Sequence, residues 1–258
     1  MSTWFDDEFL REHWRPAATG KRGAPFEYSD IAIQALLMLK AVFHLPYRAL
    51  EGFARSLMEL MSLALPIPDH THLSRRAKTL PVVVTCRAST EPRHIVVDST
   101  GLKVYGEGEW KVRQHGAGKR RTWRKVHLAV DAGSLDVVGV EVTTAGWTDG
   151  EVFEGLLDQV EGNIEQIDGD GAYDTRGVYE AAAARGARLV VPPRDNAGYH
   201  RRSLAENAMY RLKQLFGDRL ASRLFETQVT EVHVRIAAMN IMTAIGMPVS
   251  VCVGSTVS

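Results

Sequence analysis

Apolar residues recur at helical spacing in the first third of the chain. Ile31, Leu36, Leu37, Leu39 and Val42 predict a helix that Ser29 or Asp30 caps and that runs to about His44. Pro46 stands where a second helix can start, with Leu50, Phe53, Leu57 and Leu60 apolar along it. The segment Leu65-Pro-Ile-Pro-Asp-His70 breaks that helix, and Thr71 can cap a short third one bearing Arg75, Arg76 and Lys78. Three short helices with a basic last one have the pattern of a helix-turn-helix reader of duplex DNA, a pattern that many small helical units share without reading DNA. Residues 1–27 mix aromatics, prolines and glycines without a period and read as an irregular arm.

After Pro81 the period changes. His94-Ile-Val-Val-Asp98 reads as a strand buried on both faces. Trp123 to Val130 and Leu135 to Thr144 read as two more strands around a turn at 131–134. A helix over about Asp149–Val160, a strand ending near Asp170, a helix capped by Asp174 and running to Arg185, and a strand over Arg188–Val191 follow. Helices near 203–216 and 226–244 finish the chain. This order predicts an α/β fold, a mixed sheet flanked by helices. The chain divides on this reading into an arm (1–27), a helical module (28–80) and a larger α/β domain (81–258).

Composition narrows the function classes. The chain has 258 residues, 45% hydrophobic and 24% charged, enough apolar surface for a core and too little bias for disorder. Cys86 and Cys252 have no metal-ligand spacing, which excludes zinc ribbons and disulfide scaffolds and suits a reducing cytoplasm. No leader-like or membrane-spanning apolar run is present, so a membrane partner is not expected.

The formal charge of zero hides a strong segregation. Lys111 to His127 holds seven basic groups and no acid, whereas Leu128 to Asp174 holds twelve acids and no lysine or arginine. A basic strip that includes Arg120, Arg121, Arg124 and Lys125, beside a carboxylate-rich one, suits a protein that grips a polyanion and needs a divalent cation near it. A solvated hairpin followed by a solvated acidic helix gives the same counts.

Three carboxylates stand where chemistry is plausible. Asp98 closes the first buried strand, the edge at which α/β proteins place ligands, although it can also start an Asx-turn. Asp170 follows the fourth strand; alternation puts Asp168 on its face, so spacing does not separate the two. Glu206 sits in Ser203-Leu-Ala-Glu206, which fits a capping box. At about 100° per residue, however, Tyr199, Arg202, Glu206 and Lys213 share a stripe roughly 60° wide, opposite Leu204, Ala205, Ala208, Leu212, Leu215 and Phe216. A cap at Ser203 would leave Tyr199 and Arg202 outside the helix. Three hard oxygen donors brought together suit Mg²⁺ or Mn²⁺, and two such ions about 3.5–4 Å apart can activate a water or 3′-hydroxyl and stabilise the leaving oxygen of a phosphodiester.

At these residues the sequence resembles a bacterial insertion-sequence transposase of the DDE type, in the subgroup called insertion-sequence family five. The stretches that carry the resemblance are PDHTHLSRRAKTL at 68–80, DSTGLKVYGEGEW at 98–110, RRTWRKVHLAVD at 120–131, DGAYDTRG at 170–177 and GYHRRSLAENAMYRLKQLFG at 198–217. The last contains the signature Tyr-x2-Arg-x3-Glu-x6-Lys. The resemblance implies an RNase H-like catalytic domain with Asp98, Asp170 and Glu206 as a metal-binding triad, and it selects Asp170 over Asp168. It also implies that Tyr199, Arg202 and Lys213 contact the backbone of the element end, and that the helices over 29–79, with Arg75 and Arg76, recognise terminal inverted repeats. The partners so implied are double-stranded element ends and target DNA, held by a homo-oligomer at the nucleoid of a bacterial cytoplasm.

One spacing departs from the family. Asp98 to Asp170 spans 72 residues, but Asp170 to Glu206 spans only 36, because Pro192-Pro-Arg-Asp-Asn-Ala197 runs almost directly into Gly198-Tyr199. The join has the look of an in-frame deletion. A transposase is therefore the leading expectation. The alternative is an impaired remnant that binds element ends without cutting them. A generic nuclease of the same fold is opposed by the helical module and the Tyr-Arg-Glu-Lys stripe.

Overall fold

The computed structural model describes residues 7–17, 27–104, 123–191 and 199–246; the side chains of Asp7 and of residues 199–203 lie outside the description. The helical part comprises α1 (Asp7–His13), α2 (Asp30–Val42), α3 (Tyr47–Leu60) and α4 (His70–Arg76). Then come β1 (Arg93–Val104), β2 (Trp123–Asp131), β3 (Val137–Thr144), α5 (Asp149–Asp158), β4 (Ile164–Asp168), a 3-10 turn (Gly171–Tyr173), α6 (Arg176–Ala184) and β5 (Arg188–Val190). The described chain ends with α7 (Tyr199–Phe216), β6 (Arg219–Leu220) and α8 (Phe225–Ile245).

Strand order is β3-β2-β1-β4-β5, with β6 beside the far end of β1. The β1–β2 and β2–β3 pairs are antiparallel, and β4, β5 and β6 join in parallel. An antiparallel meander continued by parallel strands through helical crossovers is the RNase H-like arrangement that the resemblance implies. Alternation sorts the sheet residues to two faces. Val96, Leu102, Val126, Leu128 and Val130 pack with α2, α3, α7 and α8, while Ile95, Val97 and Ala129 pack with Phe153, Leu156 and Leu157 of α5 and with α6. The first of these clusters is continuous from the helices over 30–76 into the sheet. Residues 32–39 of α2 are buried all round, as befits a helix with neighbours on several sides.

Several element ends differ from the sequence reading. Asp7–His13 is helical where an irregular arm is expected, because Leu10 and Trp14 are buried in the first cluster and Trp14 Nε1 donates to the Pro66 carbonyl at 2.7 Å. Ser29 caps α2 as expected. Asp69 rather than Thr71 caps α4, its carboxylate accepting from the amides of Thr71 and His72 at 2.7 and 2.8 Å. Leu135 takes φ 61°, a turn conformation, so β3 begins at Val137. Thr175, not Asp174, precedes α6; Asp174 ends the 3-10 turn.

Candidate active site

β1 does not stop at Asp98. It continues to Val104 because β2 pairs with it as far as Lys103↔Trp123. On its other edge the partner changes: β4 pairs only up to Val96↔Asp168, and β6 begins at Lys103↔Arg219. Among the described residues, β1 thus has no strand neighbour on that edge between these two contacts. Asp98 lies in this gap, half-buried, on the face that Val96 and Leu102 assign to α7 and α8. Its Oδ1 accepts from the amide of the next residue, Ser99, at 2.7 Å, so Asp98 opens no Asx-turn and stays inside the strand.

Asp170 lies two residues beyond the last β1–β4 pair, as Asp98 does on β1. The two acids at the end of β4 have different surroundings. Asp168 is held by His94 Nε2 at 2.7 Å and Gln166 Nε2 at 2.7 Å, whereas Asp170 accepts from the Ala172 amide at 2.9 Å as cap of the 3-10 turn. That turn buries Tyr173, whose ring packs at 5.7 Å from Phe153 on α5 and against Gly169. A β-carbon at Gly169 would stand 3.0 Å from the Tyr173 ring, so a larger residue there would have to displace the ring. The Tyr173 hydroxyl is buried without a hydrogen-bond partner among the described residues. Burial, then the charges of Asp149, Asp98 and Asp170, push this phenol far above its ordinary range.

Glu206 lies well inside α7, which starts at Tyr199. Ser203 is consequently a helix-interior position, and the capping box is excluded. The backbones of Tyr199 and Arg202 fall within the same helix, which removes the obstacle to a continuous stripe. Ala205, Ala208, Leu212 and Phe216 are buried against the sheet side, while Glu206 is exposed and Lys213 half-buried.

Asp149 is the functional candidate that the sequence reading passes over. Its segment Thr148-Asp-Gly-Glu151 reads as a helix start, and it is one: Glu151 accepts from the Thr148 amide at 2.8 Å. The carboxylate of Asp149 also turns into the sheet. Lys125 Nζ donates to Oδ2 at 2.8 Å, His127 Nδ1 stands 3.1 Å from Oδ1, and the Ser99 side chain bonds to it. Burial raises its pKa, but the contacts with His127, Lys125 and Ser99 outweigh this and hold the carboxyl well below the usual range. Ser99 and His127 are cross-strand partners, a register that no sequence spacing announces.

The basic candidates fall in different places. Arg124 turns toward α8, where Nε donates to Gln228 Oε1 at 2.6 Å and the guanidinium lies 5.1 Å from the Phe225 ring centre. Lys125 serves Asp149. Arg76 is 8% exposed, paired with Asp30 and donating to the Tyr28 carbonyl at 3.2 Å. Arg75 is exposed on α4. Arg120 and Arg121 lie outside the described residues, as does the 192–198 join and the side chains of Tyr199 and Arg202.

Asp98, Asp170 and Glu206 are an all-oxygen donor set of the kind that hard divalent cations prefer. Among the described residues, no three His, Cys, Asp or Glu side chains stand close enough together to hold an ion. Asp98 lies in β1, Asp170 two residues past the end of β4, and Glu206 on the helix packed across β1 and β2.

Two family profiles, both described as "Transposase DDE domain", match the chain, one over residues 1–107 and the other over 89–202. Among solved structures, the chain is similar to the catalytic core domain of BIV integrase, with 12% identity, a TM-score of 0.37, and 62% of this chain and 88% of that one covered. It is also similar to a chain of a simian T-cell lymphotropic virus intasome solved with a PP2A regulatory subunit, with 14% identity, a TM-score of 0.39, and coverage of 84% and 71%. No helix among the described residues is long and apolar enough to cross a membrane. The two matches overlap over residues 89–107, a stretch that includes Asp98, and together the chain is similar to transposase DDE domains from residue 1 to 202.

Proposed function

We propose that the chain cuts DNA at the ends of an insertion element of the family-five kind and joins the freed 3′-hydroxyl to target DNA. Asp98, Asp170 and Glu206 hold divalent cation for both steps, Mg²⁺ or Mn²⁺. When bound, such a cation supplies Lewis acidity to the scissile phosphate. Water attacks the phosphodiester at the element end and leaves a 3′-hydroxyl; that hydroxyl then attacks a target phosphodiester, whose own 3′-oxygen leaves. Tyr199, Arg202 and Lys213 grip the element-end backbone beside the cut, and Arg120 and Arg121 add phosphate contacts. Arg75, on the exposed side of α4, contacts the inverted repeat. Two ends must be held at once, which calls for an oligomer on DNA in the bacterial cytoplasm.

The observation that carries this reading is the register of β1 and β4. Asp98 and Asp170 each follow the last β1–β4 pair by two residues, and Glu206 is exposed on the helix packed across β1 and β2, which supports the assignment. The test is strand cleavage of duplexes bearing the element's own inverted repeats, with Mg²⁺ or Mn²⁺. The wild-type protein nicks them, and Glu206→Gln binds the same duplex but does not nick it. Binding without nicking by the wild-type protein would instead establish the DNA-binding remnant, which the 36-residue separation favours.

A further inference from the structure

We propose that Asp149 is a positioning residue for the acidic site, tying the Asp98 and Asp170 segments together from the opposite face of the sheet. This inference rests on the assignment of those two aspartates as cation ligands.

Asp149 is linked to both segments. His127, whose ring nitrogen stands 3.1 Å from Asp149 Oδ1, is the cross-strand partner of Ser99, the residue after Asp98. Tyr173, three residues after Asp170, packs its ring on Phe153 of α5, the helix that Asp149 opens. At this spot the Tyr173 hydroxyl is buried without a hydrogen-bond partner among the described residues, and Asp149 Oδ1 has the His127 ring nitrogen at 3.1 Å as its contact. Leaving a buried phenol hydroxyl without an acceptor is costly, and a carboxylate is an acceptor of the required kind. Asp149 itself is anchored: it opens α5, where the helix N-terminus favours negative charge, and Lys125 and His127 on β2 fix its direction. The Phe153–Tyr173 ring contact couples α5 to the 3-10 turn that begins after Asp170.

The geometry fits a support role and not a ligand role. Ser99 alternates with Asp98 on β1, so Asp149, held by its cross-strand partner His127, lies on the α5 face while Asp98 faces α7. Residues of this kind orient ligands without touching the cation, and their loss typically weakens metal binding by about 10–100-fold.

The experiment measures Mn²⁺ binding to the full chain by electron paramagnetic resonance, with thermal melting alongside. Asp98→Asn and Asp170→Asn abolish binding. Asp149→Asn weakens it by about 10–100-fold, and Tyr173→Phe weakens it by several-fold while melting no lower than wild type. Asp158→Asn, on the exposed end of α5, leaves it unchanged. If Asp149→Asn does not fold, Tyr173→Phe decides, since it keeps the ring and removes only the hydroxyl. Wild-type Mn²⁺ affinity in Tyr173→Phe and in any folded Asp149→Asn, with binding lost in Asp98→Asn, overturns the positioning role and leaves the ligand assignment standing. Wild-type affinity in Asp98→Asn and Asp170→Asn overturns the ligand assignment itself.

Discussion

His94 on β1 and Asp168 on β4 are joined across the parallel strand pair, Nε2 to Oδ2 at 2.7 Å. The contact places Asp168 in the structure of the sheet, while Asp170, two residues on, lies past the strand end. Asp168→Asn should therefore lower the melting temperature and spare cleavage of inverted-repeat DNA. Asp170→Asn should do the reverse, abolishing cleavage with little change in melting. Melting curves and nicking assays on the two variants, run side by side, check the assignment; loss of cleavage in Asp168→Asn with a wild-type melt would exchange the roles.

Much of this site was legible because it rests on local pattern. The buried run at 94–98, the strand ending near Asp170 and the apolar face of α7 all follow from period, and each carries its acid to the right element. Three features were not legible. The continuation of β1 past Asp98 is decided by pairing with β2, against the local signal of Ser99-Thr-Gly101. The start of α7 at Tyr199 overrides a good local cap at Ser203. Asp149 hides in plain helix-start chemistry, and its partners Ser99, Lys125 and His127 meet it only once β1, β2 and α5 are assembled. Tertiary contact settles all three.

Arg75 and Arg76 are neighbours on α4 with opposite fates. Arg76 is buried against Asp30 and the Tyr28 carbonyl, so Arg76→Ala should destabilise the fold by about 2 kcal/mol, the cost of stranding partners of a charged hydrogen bond. Arg75→Ala should change stability by less than about 0.5 kcal/mol. It should weaken binding to element ends and reduce the slope of log affinity against log salt by about one. Denaturant melts and salt-titrated gel shifts distinguish the two, and a shared phenotype would refute the division.

Gly139 on β3 lies directly beneath α5. A β-carbon there would stand 2.7 Å from the Leu156 carbonyl oxygen and 3.3 Å from the Ala129 β-carbon. Because the nearer obstacle is backbone, Gly139→Ala must lift α5 from the sheet, at about 1–3 kcal/mol. Gly155, on α5 itself, meets nothing within 4 Å. Gly155→Ala should stabilise by about 0.5–1 kcal/mol through the lower entropy of the unfolded chain. Chemical denaturation of both variants reads the signs, and a neutral Gly139→Ala would mean that the helix seat is looser than the contacts indicate.

Acid sensitivity offers a test of Asp149 that needs neither DNA nor metal. Its folded pKa is held well below the ordinary value of about 3.9 by His127, Lys125 and Ser99. In the unfolded chain the group takes up a proton at higher pH than in the folded one. The stabilisation it gives is accordingly complete above about pH 4 and is lost as pH falls through the folded value. Wild type should melt above Asp149→Asn at pH 7 and at pH 5, with an unchanged gap between those two conditions. Below about pH 4 the gap should narrow, because the wild-type carboxylate becomes protonated while the amide does not titrate. Melting temperatures at pH 7, 5, 4 and 3 follow the gap directly. A gap that stays constant down to pH 3 would mean that the carboxylate stabilises the fold through its shape and packing and not through its charge.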